Sequence, residues 1–215
     1  MSTVRQVAPY AVWMGLMMAL PATAWGYAAR TIATLLCLLA CTIGVKEGLL
    51  QWSGRSKVAI PVGLAVGVLV WVAWVFPENF ALYRKWFIIG DVESSGPSPY
   101  DPAVCGWPLT MIRLFGSAFV IAAVEEIFFR GWLYNWIAQS AGDKNKAKAI
   151  DVSAFIWMVA LFAIEHNRWL AGALAGAAYG LISIRFGLFS AIIAHITTNL
   201  ILGLQVIFTG NWAFW

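Results

Sequence analysis

Six residues of this 215-residue chain combine side-chain types and spacings suited to acid–base chemistry. Glu125, Glu126 and Arg130 lie together in Val124-Glu125-Glu126-Ile127-Phe128-Phe129-Arg130, inside a long apolar run. His166 ends Phe162-Ala163-Ile164-Glu165-His166, and His195 opens His195-Ile196-Thr197-Thr198-Asn199. An ionised side chain at the middle of a bilayer costs about 2.5–3.5 kcal/mol on insertion scales, so each of these needs a reason. Glu126 and Arg130 are spaced i,i+4 with the acid first, the better orientation for an ion pair on one helix face. Glu125 is rotated about 100° away and must look for another partner. His195 and Asn199 also share a face. A carboxylate with a histidine makes a pair that can activate water. A second histidine with an amide supplies donors for a developing oxyanion. Such a set needs no serine or cysteine nucleophile. Two histidines and a glutamate can also ligate zinc, but no H-E-x-x-H is present and Glu165-His166 is followed by Asn167-Arg168. A zinc site would therefore have to be assembled from three helices.

These residues can meet only if helices bring them together, and the hydropathy pattern provides the helices. Spans are expected at about 8–26, 29–45, 58–76, 109–138, 151–166, 168–185 and 187–208. Pro21 falls within the first as a kink. Arg5, an apolar run and Ala22-Thr23-Ala24 look partly like a signal peptide, but apolar sequence resumes after Tyr27, which favours a retained first span. Residues 80–89 are expected as a short interfacial helix and 94–102 as a loop. Gly172, Gly176 and Gly180 form a doubled small-xxx-small pattern, read as close packing within the molecule, with dimerisation as the second choice.

Composition fixes the class. Hydrophobic residues are 61% of the chain, charged residues 11%, and mean hydropathy is +0.78. A soluble domain carries roughly 25% charged residues, so a water-soluble globular enzyme and an extended disordered chain are both excluded. A net charge of +4 spread along the chain gives no nucleic-acid footprint. The three cysteines do not make a disulfide framework. The expected fold is all-α: a polytopic transmembrane bundle of about seven or eight spans enclosing a polar cavity. Residues 1–108 would form N-terminal helices and an interfacial loop, and 109–215 the core, as one membrane unit. Arg5, Lys46, Arg55, Lys57, Lys144, Lys146, Lys148 and Arg185 fall on one side, against Arg30, Arg84, Lys85 and Arg168 on the other. The heavier side is cytoplasmic by the positive-inside rule, which places the N-terminus inside a plasma or inner membrane.

The set Glu125-Glu126-x-x-x-Arg130, Phe162-x-x-x-His166 and His195-x-x-x-Asn199 resembles the three motifs of the CAAX-processing and bacteriocin-processing family, intramembrane proteases related to the type II CAAX prenyl endopeptidase. The resemblance covers about 109–208. It implies a helical membrane fold, a cavity within the bilayer and cleavage of a peptide bond in a membrane-associated protein or peptide. Carried onto this sequence, Glu125 and His166 would activate water, His195 and Asn199 would form the oxyanion site, and Glu126 and Arg130 would support the geometry. The family is described as glutamate-dependent, so no cofactor is expected, with zinc as the less favoured version. Glu165 departs from the pattern by placing an acid directly before His166. Two other classes stand beside the endopeptidase: a non-proteolytic immunity or scaffolding protein that keeps the pocket, and a proton-coupled transporter using the buried acids. The substrate and the oligomeric state are left open by the sequence.

Overall fold

The computed structural model describes residues 2–43, 56–90, 98–140 and 150–215. Every regular element among them is helical. Helix α1 spans Thr3–Ala19 and α2 spans Ala24–Thr42. The turn between them corrects the expected first span, which stops seven residues early. Pro21 lies in a break rather than a kink, and Thr23 caps α2 by accepting from the Gly26 N–H. A Cβ at Gly26 would lie 2.2 Å from the Pro21 carbonyl oxygen, so only glycine permits this tight corner. Helix α3 (Ser56–Val75) is followed by a 3₁₀ turn, Phe76–Asn79, and by the short α4, Ala81–Phe87, a helix within the expected 80–89. The short α5 (Pro102–Cys105) leads into the core.

The expected span 109–138 is one helical run from Trp107 to Ser140 that changes its winding twice. α6 (Trp107–Phe115), α7 (Ala122–Glu126) and α8 (Tyr134–Ser140) are separated by π-helical turns at Gly116–Ile121 and Ile127–Leu133. Wide turns loosen the backbone ladder, and in a bilayer the loosened carbonyls must find donors within the protein. They do. Asn199 Nδ2 donates to the Ser117 carbonyl at 3.0 Å, and Asn135 and Gln6 both donate to that of Gly131, at 2.9 and 3.3 Å. The two π turns flank Glu125-Glu126 and so set where this pair faces.

Helices α9 (Val152–Ile164), α10 (Trp169–Phe186) and α11 (Leu188–Thr209) complete the bundle. Among the described residues, four helices are long and apolar enough to cross a membrane: Ala24–Thr42, Lys57–Asn79, Trp169–Phe186 and Leu188–Thr209. α9, at 13 residues, is shorter than a span needs. The most apolar of the four, Lys57–Asn79, is also the least buried, which puts its large side chains toward lipid. The protein is an integral membrane helical bundle.

Small residues let the helices touch. Cβ atoms added at Gly63 and Gly67 of α3 would lie 2.8 and 2.5 Å from the Ser190 and Ala194 carbonyl oxygens of α11. The glycines of α10 work as expected within the molecule: Gly172 faces His166 and Ala163, Gly176 faces Phe162, and Gly180 faces Met158 and Phe155. The core clusters draw on both halves of the sequence, with Val70 packed with Phe129 and Phe162, and Trp13 with Leu109 and Ile121.

Candidate active site

The core of the site is a buried chain of charges. Glu126 is fully buried. Its Oε1 accepts from Arg130 Nη1 at 3.0 Å, the i,i+4 pair expected from spacing, and also from His195 Nδ1 at 2.9 Å. Arg130 is held in turn by donating from Nη2 to the Gly176 carbonyl at 3.1 Å, with its guanidinium 4.2 Å from the centre of the Phe162 ring. The glycine thus serves twice, since its lack of a side chain admits Phe162 and its carbonyl receives Arg130. Such an arrangement is costly to desolvate, and the pairing offsets that cost, although Glu126 Oε2 and Arg130 Nε are buried without a hydrogen-bond partner.

His195 is clamped. Tyr179 stacks on it with centroids 5.0 Å apart, and Phe162 meets it edge-on at 5.9 Å. The Tyr179 hydroxyl donates to Thr198 Oγ1 at 2.6 Å, and Thr198 donates to the Gly67 carbonyl at 2.9 Å. With Nδ1 committed to Glu126, the free nitrogen Nε2 turns toward Glu125, whose Oε2 is 3.8 Å away. That gap is too long for a direct hydrogen bond and suits a bridging water.

Glu125 lines a cavity of about 440 Å³, together with His166, His195 and Asn199. Four of the six residues singled out by sequence therefore share one space. Glu126 and Arg130 stand behind it as support. His166 follows the C-terminal end of α9, where its Nδ1 lies 2.8 Å from the Phe162 carbonyl. A carbonyl can only accept, so Nδ1 carries the proton and Nε2 is left as an acceptor. Trp74 and Phe162 fix the ring plane from two sides. Asn199 uses one of its two amide protons on Ser117 and keeps the other. Glu165 also lines the cavity.

Residues 107–201 match the family described as type II CAAX prenyl endopeptidase, Rce1-like. This core is similar to the CAAX protease family. The matched segment opens with α6 and ends inside α11, and contains all six of the residues above. No curated protein and no solved structure matches the chain.

Three further cavity-side features lie outside the residues that motif spacing singles out. Glu78 and Arg168 form a buried ion pair from the two ends of a 90-residue separation, and Arg168 Nη2 also donates to the Ala213 carbonyl at 3.0 Å. Tyr179 supports His195 as described. Arg113 lines the cavity beside Ser117. The rarity of charge in apolar segments, which singles out Glu125 and Glu126, also applies to Arg113. Pairing Glu78 with Arg168 needs the fold.

Among the described residues, no three His, Cys, Asp or Glu side chains converge on a point that a metal ion could occupy.

Proposed function

We propose that this protein is an intramembrane endopeptidase of the CAAX protease family, in which water, activated by Glu125 and His166, attacks the scissile carbonyl. The observation that carries the reading is the convergence of Glu125, His166, His195 and Asn199 on one cavity inside an apolar bundle. The water bridges Glu125 and the acceptor nitrogen Nε2 of His166. Its proton passes to the glutamate as its oxygen bonds to the carbonyl carbon. The oxyanion so formed takes the second amide proton of Asn199 and the Nε2–H of His195, held as an imidazolium between Glu126 and Glu125. In this form the two carboxylates balance the Arg130 guanidinium and the imidazolium, so the buried group is neutral as a whole. Collapse of the tetrahedral intermediate breaks the C–N bond. Glu125 returns its proton to the leaving amine, giving a new carboxyl end and a new amino end.

The substrate is a membrane-associated protein or peptide, and no resident metal takes part. The distribution of basic residues favours a cytoplasmic N-terminus in a plasma or inner membrane. The test is cleavage of a peptide library by the purified protein in detergent, with wild type, Glu125→Ala and His166→Ala compared. Cleavage by wild type alone is expected. Equal cleavage by all three overturns the mechanism, and no cleavage by any favours a non-proteolytic role.

A further inference from the structure

Three arginines lie in or beside the cavity, and they are treated differently. Arg130 pairs with Glu126 and donates to the Gly176 carbonyl. Arg168 pairs with Glu78 and donates to the Ala213 carbonyl. Arg113 has no acid and no carbonyl among the described residues. Its guanidinium rests against three rings, with its central carbon 4.2 Å from the centre of Tyr27, 4.8 Å from Tyr100 and 5.6 Å from Trp215. Its Nε is buried and makes no hydrogen bond, as is also the case for the Nε of Arg130 and of Arg30, so what sets Arg113 apart from Arg130 is the lack of an acid or carbonyl partner. Arg30, also buried, shares the Tyr27 ring at 4.9 Å and likewise has no acidic partner among the described residues. Two positive charges thus stand uncompensated at one place. Aromatic faces hold a guanidinium in position but do not use its hydrogen-bonding edge. Arg113 is partly buried and lines the cavity, so an anion entering there would find a cation with no acid beside it.

We propose that Arg113 is an anion subsite of the cavity that binds a carboxylate of the peptide substrate. This rests on the endopeptidase reading, because Arg113 and Glu125 line the same cavity. A short peptide offers two kinds of anion, its C-terminal carboxylate and its acidic side chains. A planar guanidinium fixed by rings presents the paired donors that a carboxylate takes bidentately. Arg113 and Glu125 are twelve residues apart on one helical run, at most about 18 Å along its axis, the span of about five extended residues. The carboxylate therefore lies within about five residues of the bond that is cut. Its role is to position the substrate.

The test measures binding to the Glu125→Gln protein in detergent, so that the probes stay intact. Three apolar peptides carrying an uncharged nitrobenzoxadiazole label are compared: one with a free C-terminus, one amidated, and one amidated with a glutamate near its end. The free acid is expected to bind about tenfold more tightly than the amide, or more, the scale of one charge-assisted hydrogen bond. Arg113→Gln in the same background removes the difference, and Arg113→Lys keeps part of it. Tight binding of the glutamate-bearing amide alone assigns the anion to a side chain and still supports the subsite. Equal affinity for all three peptides overturns the proposal, and so does a preference that survives Arg113→Gln. Should Arg113→Gln unfold, the acid-to-amide ratio of the parent and its change in Arg113→Lys decide the matter. Cleavage by wild type is scored separately, so failure of the subsite and failure of the endopeptidase reading give different results.

Discussion

The inner end of the cavity and its Arg113 end solve the same problem in opposite ways. At the inner end Glu126 and Arg130 are paired from within: Glu126 by Arg130 and His195, and Arg130 also by the Gly176 carbonyl. At the other end, Arg113 and Arg30 lean on Trp13, Tyr27, Tyr100 and Trp215 and are answered by no acid among the described residues. The difference separates two tasks. A group that must hold a reacting atom to a fraction of an ångström gains from being paired in advance, because its position is fixed before the substrate arrives. A group that must receive a charged piece of substrate gains from being left unpaired, because the incoming charge then completes it. The same arrangement explains why Glu125 faces the cavity while its neighbour Glu126 is sealed. In the proposed mechanism one acts on substrate, while the other holds the histidine.

Five perturbations break or sharpen this contrast, taken from the largest effect to the smallest. Glu125→Gln removes the carboxylate without altering shape, and is expected to lower kcat by roughly 10²–10⁴-fold with thermal unfolding in detergent unchanged. Arg130→Met leaves Glu126 buried and uncompensated, and should destabilise the fold by about 3–5 kcal/mol. Asn199→Ala deletes one proposed oxyanion donor, and a loss of about 10²–10³-fold in kcat is expected from initial-rate measurements. Arg113→Met removes only ring contacts, worth about 1 kcal/mol. Comparing its unfolding midpoint with that of Arg130→Met tests whether the paired end carries the stability. A chelator is expected to leave cleavage unchanged, whereas loss restored by zinc would point to a metal.

Spacing rules reach the parts of the site that lie on one helix. The Glu126–Arg130 pair and the turning of Glu125 away from Glu126 follow from the 3.6-residue period, and both are present. The rarity of charge in apolar sequence picks out the histidines. What spacing does not carry is the rotation of one helix against another. That His195 takes Glu126 through Nδ1, and turns Nε2 toward Glu125, depends on how α11 meets the run from 107 to 140. The π turns that aim the two glutamates leave no mark in hydropathy, because widening a turn changes no residue type. Hydropathy extends the first span to residue 26 because Leu20–Gly26 reads apolar, whereas the Thr23 cap and the Gly26 corner begin a new helix there. The ion pair of Glu78 with Arg168 joins segments 90 residues apart and has no local signature.

The division of labour between the two ends is tested most directly by steady-state cleavage of one free-acid peptide by wild type, Glu125→Gln and Arg113→Gln. Glu125→Gln is expected to lose kcat, and Arg113→Gln to raise KM while kcat stays near that of wild type. Wild-type turnover by Glu125→Gln, or a fall in kcat at unchanged KM for Arg113→Gln, would contradict it.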